Sequence, residues 1–439
     1  MRTSWAIVWI ASLPMGSWAD SGEAPADPEQ WSVHAQATYI SQKKPAFDAA
    51  YSGPVSLTPE PAHSYSFTST LFLGARLWRG GEGYVNVEAV EGLPISNLTG
   101  LGGLTNGELQ KTAGTSLKWY RARAFVRQVY GLGGESEPIE ADKNQLGSAY
   151  GKRRLVVSAG NLSIMDIFDN NRYAHDPRGD FLNWSLITSG AYDFAADSRG
   201  YSWGAAVEWI EDGWALRAGR FAQPKESNGL PLDFRLFRHY GDQVELERSH
   251  EVGGRPGKVR LLLFRNVAIM GRFRDAIEAA QASGGAPAVA AVRKLTTKYG
   301  IALNAEQELT DDWGAFLRAS WNNGEAETYA FAEIDRSIAL GAVLTGKRWG
   351  RSSDELGVAL VGNGLSRSHR DYLAAGGLGF FVGDGRINYR EELIAEVYYS
   401  AEIFKNCAIS VNAQRIRNPA YNADRGPASF YALRLHIEF

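Results

Sequence analysis

The clearest pattern along the chain is an alternation of apolar and polar side chains in segments of about ten residues, the length of a tilted membrane strand. In the last segment, residues 431–439, every second side chain is large and apolar, and Arg434, His436 and Glu438 lie between them. Because successive side chains of a strand point to opposite faces, this strand has an oily face and a charged face. A soluble sheet could bury the oily face, whereas a membrane barrel would turn it to lipid and the charges to a wet lumen.

Short and long connections alternate between these segments. Short turns are expected at residues 405–406, 350–354, 310–312, 253–257 and 211–213, and long loops at 418–428, 363–391, 322–336, 267–298 and 222–241. Outer-membrane barrels have short periplasmic turns and longer extracellular loops. The alternation therefore favours a membrane barrel whose C-terminus is periplasmic, with a helix at residues 275–281 inside one long loop.

Seventeen segments qualify as strands, but bacterial single-chain barrels close with an even number. We therefore predict an all-β fold, a transmembrane antiparallel up-and-down β-barrel of about 16 strands. One segment must be spurious, either residues 34–42 or residues 190–196. Closure matters because a barrel satisfies every backbone group between neighbouring strands, as a lipid environment requires.

Composition excludes several classes of function. The chain has 439 residues and a net charge of −3, without the basic excess that nucleic-acid binding needs. Its single cysteine, Cys407, rules out an internal disulfide and a cysteine-based zinc site. The seven histidines show no paired metal-ligand spacing. We expect no metal and no cofactor.

The N-terminus has the pattern of a secretory signal. Arg2 precedes an apolar stretch at residues 5–13 and small residues at 17–19. We therefore expect residues 1–19 to be a cleaved signal peptide and residues 20–439 to form the barrel domain. No later stretch reaches the ~18 apolar residues of a membrane helix, which leaves the periplasm, the outside or the outer membrane. Together with the barrel pattern, the location expected is the outer membrane.

Charged rows on the polar faces are candidates for the lumen. Arg121, Arg123 and Arg127 form a basic row with Phe125 among them, and Glu245 and Glu247 form an acidic row. Guanidinium groups stay charged and donate in a fixed fork, so such rows could line a constriction, or they could pair with neighbouring strands and stiffen the wall. Other lumen candidates are Asn86, Glu88, Glu306, Arg318 and Arg434.

Six segments resemble the carbohydrate-selective porins of Gram-negative outer membranes, the OprB-type family. They are residues 34–57, 71–88, 125–135, 158–184, 363–381 and 418–439. The resemblance implies a 16-stranded barrel with loops folded into the lumen, basic residues at the narrow point, and passive diffusion of sugars. It weakens at residues 222–300. The partners implied are sugars, outer-membrane lipid and the barrel assembly machinery, through the C-terminal strand ending at Phe439; a homotrimer and a monomer both stay open.

Residues 166–184 concentrate charges and aromatic rings in a stretch interrupted by Pro177 and Gly179. Its sugar-binding candidates are Asp169, Arg172, Tyr173, His175, Asp176, Arg178 and Trp184. Arginines can donate to sugar hydroxyls and carboxylates can accept from them, while aromatic faces cover the C–H side of a sugar ring. Alternatively, the same charges bind the loop to the barrel wall. His175 lacks an accompanying nucleophile-elbow motif, so we expect no catalysis.

The function expected is a porin that lets mono- and oligosaccharides diffuse selectively through a channel lined by charges and aromatic rings. Three alternatives are open: a general or anion-preferring porin, an outer-membrane barrel enzyme such as a lipase, and a soluble lectin-like β-protein.

Overall fold

The computed structural model describes residues 28–109 and 114–439, so the predicted signal peptide lies outside the described residues. The strands of this part are β1 Trp31–Lys44, β2 Ala62–Trp78, β3 Gly81–Leu93, β4 Gly114–Ile139, β5 Ser148–Leu162, β6 Ser202–Glu211, β7 Trp214–Pro224, β8 Leu232–Asp233, β9 Tyr240–Val252, β10 Arg255–Met270, β11 Lys294–Glu308, β12 Trp313–Asn322, β13 Arg336–Thr345, β14 Glu355–Gly364, β15 Glu392–Phe404, β16 Cys407–Arg417 and β17 Ala428–Glu438. All but β8 form one closed antiparallel barrel of 16 strands, which confirms the predicted fold.

The barrel closes because its first and last strands pair. In that pairing, Gln36 of β1 lies opposite Glu438 of β17, and Lys43 lies opposite Tyr431. Each remaining barrel strand pairs with its neighbours along the chain. The two-residue β8 forms a small hairpin with the end of β7, while β7 itself continues the barrel by pairing with β9.

The two doubtful segments are now distinguished. Residues 34–42 form a strand within β1, so the suggestion that this segment could be the spurious one was wrong. Residues 190–196 are the spurious segment, because they lie in the long connection between β5 and β6. That connection is folded inside the barrel, where Tyr192 and Phe194 join a buried apolar cluster. Its polarity pattern therefore reflects burial in the lumen and not a sheet.

The barrel wall is oily outside and polar inside. On β17, Leu433 is 52% exposed and Leu435 38% exposed, whereas Arg434 between them is 2% exposed. Exposed aromatic side chains collect near both ends of the outer face, among them Trp78, Tyr130 and Trp209 at one end and Trp119, Tyr299 and Trp321 at the other. Such girdles mark the two membrane interfaces of outer-membrane barrels.

Tight turns and long loops lie at opposite ends of the barrel, as predicted. The end with tight turns is periplasmic by the general rule for such barrels. Helices occur in the connections: α1 Trp184–Ile187, α2 Phe273–Ser283 and α3 Arg367–Ala374, with 3-10 turns Ile95–Leu98, Ile164–Asp166, Val289–Val292, Gly346–Trp349 and Pro419–Tyr421. The expected helix at residues 275–281 lies inside α2. Across the described ranges, no helix has the length and apolarity to cross a membrane.

The hairpin between β4 and β5 departs from the pattern of tight periplasmic turns. β4 has 26 residues, and its pairing with β5 shifts register around Gly133, where φ is 96°. Only glycine adopts such a value readily, so Gly133 permits a bend. Beyond it the hairpin tip, residues 140–147, folds into the lumen: Asn86 Nδ2 donates to Asn144 Oδ1 at 2.7 Å, and Arg127 Nη1 donates to the Asn144 carbonyl at 2.9 Å.

Candidate channel constriction

Two long connections enter the barrel and narrow it. The first is the β5–β6 connection, residues 163–201, named here the constriction loop. The second is the described part of the β3–β4 connection, residues 94–109, named here the second loop. They hydrogen-bond to each other, since the Trp184 amide donates to the Leu104 carbonyl and the Gly107 amide to the Leu182 carbonyl, both at 2.9 Å. The lumen is thus narrowed by two mutually braced segments.

Two arginines of the wall hold the constriction loop by its backbone. Arg318 on β12 donates from Nη1 to the carbonyls of Ala174 and Leu186, at 2.7 and 2.5 Å. Arg434 on β17 donates from Nη1 to the carbonyls of Pro177 and Asp180, both at 2.7 Å. Both side chains are almost fully buried. The structure therefore places these two lumen candidates beneath the loop and away from solute.

Asp169 of the constriction loop and the acidic row of β9 are also engaged in buried contacts between the loop and the wall. Asp169 accepts from the Ser189 hydroxyl at 2.9 Å and from Asn304 Nδ2 at 2.7 Å. Glu245 accepts from the Asp169 amide at 2.8 Å. Glu247 receives Arg260 Nε at 2.7 Å. Because these carboxylates are buried in hydrogen bonds, the wall-stiffening interpretation describes them better than solute contact.

A cavity of about 490 Å³ lies between the two loops, the inner face of β4 and the hairpin tip. Within the described residues, its charged lining comprises five cationic and four anionic side chains: Arg123, Arg127, Lys143, Arg178 and Arg199, and Glu108, Asp142, Asp166 and Asp176. His175 and Trp184 line it too. Since neither sign of charge dominates, the cavity suits a neutral solute with many hydroxyl groups.

The basic residues of β4 are held in fixed positions by neighbouring groups. Arg123 forms a bidentate pair with Asp166 of the constriction loop, with Nε–Oδ2 2.7 Å and Nη2–Oδ1 2.6 Å. Arg127 lies over the Phe125 ring at 5.6 Å, and its Nη1 is 3.8 Å from Glu82. Phe125 itself is buried against the wall. The two guanidinium groups therefore present preorganised donors to the cavity.

Arg178 ties the constriction loop to the second loop and to the wall. Its Nε donates to Glu108 at 2.9 Å, and its Nη2 donates to Glu88 at 3.1 Å. Glu88 is fully buried and also accepts from the Thr70 hydroxyl at 2.8 Å. Asn86, also fully buried, lies behind the hairpin tip. Glu88 and Asn86 therefore support the lining from behind.

An aromatic cluster forms one side of the cavity. The Trp184 ring lies 4.8 Å from the Phe331 ring and 6.2 Å from the Phe194 ring. Tyr201 also lines the cavity, with Arg123 at 5.1 Å from its ring. Flat apolar surfaces therefore face a set of polar donors and acceptors, the combination that a sugar ring requires.

A second cavity, of about 530 Å³, opens near the tight turn between β9 and β10. Arg172, Tyr173 and Glu306 line it together with Arg260 of β10. Glu306 accepts from the Arg172 amide at 2.9 Å and from Arg260 Nη1 at 3.0 Å. These three candidates therefore belong to the periplasmic vestibule and not to the first cavity.

The interpretation of Arg121 as a lumen residue was wrong. The register between β3 and β4 places Asn86 opposite Arg123 but Val87 opposite Arg121, so Ala122 is an extra residue. A β-bulge of this kind changes the face to which the side chains on one side of it point relative to those on the other. Arg121 is exposed, and its guanidinium lies 5.4 Å from the ring of Trp203. It therefore lies on the outer face of the barrel.

Several residues of the first cavity were not predicted. Glu108 and Arg199 come from loops without regular alternation, and Lys143 and Asn144 come from the hairpin tip. The only sequence signal for the hairpin was the Gly133-Gly134 pair, which allows a bend but does not show its direction. Sequence alternation finds wall residues and does not find loop residues that fold inward.

Burial alters the protonation of two groups in the constriction loop. It raises the pKa of Asp180 to about 6, against the opposing effect of the Asp176 and His175 amides, which donate to this carboxyl. Burial also lowers the pKa of His175, assisted by the nearby Arg318. His175 is therefore neutral at pH 7, and its Nδ1 is buried without a hydrogen-bond partner among the described residues.

Comparison with known proteins agrees with this geometry. The family model described as carbohydrate-selective porin, OprB family, matches residues 56–439. A high-pH structure of Pseudomonas putida OprB superposes with a TM-score of 0.72 at 16% identity, covering 93% of this chain and 94% of that one. The outer membrane channel DcaP of Acinetobacter baumannii gives 0.51 at 8% identity, covering 95% and 100%.

No curated protein sequence matches the chain. The two similar structures show the fold alone. The family model matches most of the sequence, and the barrel with its two infolded loops agrees with that match. The chain belongs to the family of carbohydrate-selective porins of the OprB type.

Proposed function

We propose that the first cavity is the point at which mono- and short oligosaccharides are selected during passive diffusion across the outer membrane. The observation that carries the proposal is the lining itself, in which arginine donors and carboxylate acceptors of nearly balanced number face the Trp184 ring. A passing sugar exchanges part of its hydration shell for these groups.

Binding in such a cavity should be weak. Each neutral hydrogen bond nets only about 0.5 to 1.5 kcal/mol after water is replaced. Conduction requires a site that releases its solute as easily as it binds it. We therefore expect millimolar rather than micromolar half-blocking concentrations for sugars, about the range that a few kcal/mol of binding free energy provides.

Single-channel recording tests the proposal. Glucose and maltose should reduce the ion current, and Arg127→Gln should raise the half-blocking concentration by roughly two- to tenfold, the equivalent of one hydrogen bond. Arg415→Gln is the matched control, because Arg415 is exposed on the outer face of β16. The proposal fails if no sugar reduces the current of the wild-type channel.

An anion-preferring porin is the second candidate, favoured by Arg123 and Arg127 on one strand face. The four carboxylates of the same lining oppose it. The reversal potential in a salt gradient separates the two: a strong preference for chloride over potassium, with no block by sugars, would support the anion channel.

The export and assembly steps are proposals of the same kind. Residues 1–19 would direct export and be removed. Protein purified from outer membranes should therefore have the mass of a chain that starts at Asp20. The strand that ends at Phe439 would be read by the assembly machinery, and removal of Phe439 should lower the amount of folded barrel. No catalytic step is proposed, and purified protein should release no fatty acid from lipid.

A further inference from the structure

The outer wall of the barrel carries an unusual group of cations near its extracellular edge, between β4 and β10. We name it the rim patch. Its members are Arg121, Trp203, Arg220, Tyr240, Asp242 and Arg265. On the lipid-facing side of such a barrel charged residues are destabilising at the membrane midplane and tolerated near the interfaces, so their position and partners indicate what they bind.

A row of three charges crosses adjacent strands in the rim patch. Arg220 of β7 lies opposite Asp242 of β9, which lies opposite Arg265 of β10. Asp242 accepts hydrogen bonds from Arg220 Nε at 2.7 Å, from Arg220 Nη2 at 3.0 Å and from Arg265 Nη2 at 2.8 Å. All three face outward, because they share strand parity with exposed Leu216, Val244 and Leu263. One carboxylate thus serves two guanidinium groups.

Arg121 adds a third cation to the same region. The extra residue Ala122 turns it outward, where its guanidinium lies 5.4 Å from the Trp203 ring. Ala205, two residues beyond Trp203 on the same face of β6, pairs with Arg220. The rim patch therefore holds three guanidinium groups against one carboxylate, a local surplus of positive charge on the outer wall.

Aromatic rings fix the height of the rim patch. The Arg220 guanidinium lies 4.0 Å from the Tyr240 ring, and that of Arg265 lies 5.4 Å from it. On the next strands, Tyr299 and Trp321 form an outward pair with ring centres 6.1 Å apart. Tyrosine and tryptophan collect where hydrocarbon meets headgroups. The three arginines consequently lie at the level of the lipid headgroups in the outer leaflet.

A groove beside the rim patch combines basic and apolar side chains. It is an open cavity of about 500 Å³ lined by Lys225, Leu232, Asp233, Phe234, Arg235 and Ile269. The Phe234 ring lies 6.4 Å from that of Trp203, so the groove adjoins the patch. Phe237 in the same loop is 88% exposed. Such a surface matches an amphipathic ligand with an acidic head and a hydrocarbon chain.

We propose that the rim patch and the adjoining groove form a binding site for a phosphorylated lipid of the outer leaflet. Guanidinium groups bind phosphate oxygens in a bidentate fork. Arg121 supplies donors that Asp242 does not contact, and Arg265 donates to Asp242 from Nη2 and keeps its other N–H groups for the ligand. The acyl chain lies against Phe234, Ile269 and the oily wall. The proposal rests on the outer-membrane location of the barrel and is independent of which solute passes through it.

Native mass spectrometry of the full-length barrel in detergent tests the site. The probes are bisphosphorylated lipid A, phosphatidylcholine and inorganic phosphate. The test variant is Arg121→Gln/Arg265→Gln, which leaves the Arg220–Asp242 pair intact. The matched control is Arg415→Gln/Arg417→Gln, which removes two exposed outward arginines at the extracellular end of β16. Sugar block is recorded for every variant.

We expect one bisphosphorylated lipid to bind the wild type and the control, more tightly than either other probe. Binding should weaken by roughly tenfold in the test variant, with sugar block unchanged in all. Equal lipid binding by the test variant and the control would overturn the proposal. So would equal binding of phosphatidylcholine, or association of the wild type into oligomers that the test variant abolishes, since a second copy would then cover the patch. Should the double variant not fold, Arg121→Gln alone should still lose several-fold in lipid binding, and no loss there overturns the proposal equally.

Discussion

Arg434 of the last strand donates a hydrogen bond of 2.7 Å to the carbonyl oxygen of Asp180, 254 residues earlier in the chain. This contact connects the closure of the barrel wall to the position of the constriction loop. Arg318 on β12 makes a comparable contact with the Leu186 carbonyl. The loop is therefore fixed at two separate points along its length, by side chains that never reach the cavity.

Replacing Arg434 by glutamine should release the constriction loop. At least two partly buried carbonyl groups, of Pro177 and Asp180, would lose their donor, and an unsatisfied buried group costs about 1 to 3 kcal/mol. We expect the free energy of unfolding to fall by roughly 3 kcal/mol and the open-channel current to become noisier. Urea unfolding in detergent and single-channel recording measure the two effects. Arg415→Gln, on the outer face, should change neither; a quiet, fully stable Arg434→Gln channel would contradict the prediction.

Arg178 and Glu108 should be energetically coupled. Their contact of 2.9 Å joins the constriction loop to the second loop, with 14% and 9% of the side chains exposed. Residues in direct contact typically show coupling of about 0.5 to 3 kcal/mol, and a buried pair should lie in the upper half of that range. A double-mutant cycle with Arg178→Met and Glu108→Gln measures it by unfolding. Additive effects would mean that the two loops are not braced by this pair.

The stability of the channel should depend on pH through Asp180. Burial raises its pKa to about 6 in the folded protein from the ordinary value of 3.8. A carboxyl group whose pKa is raised by folding stabilises the folded state while it is protonated. Its contribution to the free energy of unfolding is therefore present below pH 3.8 and is lost as pH rises through about 6. Asp180→Asn keeps an oxygen acceptor for the two amides. Its stability relative to that of the wild type should therefore be greater at pH 8 than at pH 4. Melting curves of both proteins at the two values check this, and parallel changes in wild type and variant would exclude Asp180 as the cause.

The hairpin tip should limit conductance. Residues 142–145 line the first cavity, and Lys143 Nζ lies 2.6 Å from Glu438 of β17. Joining β4 to β5 directly after Gly131 with a tight Asn-Gly turn should widen the periplasmic side and increase single-channel conductance. Lys143→Gln is the control, since it removes the charge but keeps the tip; it should change ion selectivity more than conductance. Unaltered conductance after shortening the hairpin would show that the narrowest point lies elsewhere.

The barrel could be predicted from the sequence because alternation with a period of two is a local property of each strand. Arg121 shows where this fails: one inserted residue, Ala122, moves a side chain to the opposite face, and a slip of one position always has this effect. Arg318 and Arg434 show a second limit. Their inward orientation was predictable, but not the loop that covers them, because a polar inner face is equally compatible with water and with backbone carbonyls.

The fit between β1 and β17 has a consequence for biogenesis. The C-terminal strand supplies both the final seam of the cylinder and the guanidinium group that secures the loop within it. A nascent sheet without that strand would have two unpaired edges, and the constriction loop would lack its contacts with Arg434. Closure of the barrel and fixation of the constriction loop by Arg434 therefore occur in the same step, so a closed barrel that lacks this contact is not expected during assembly.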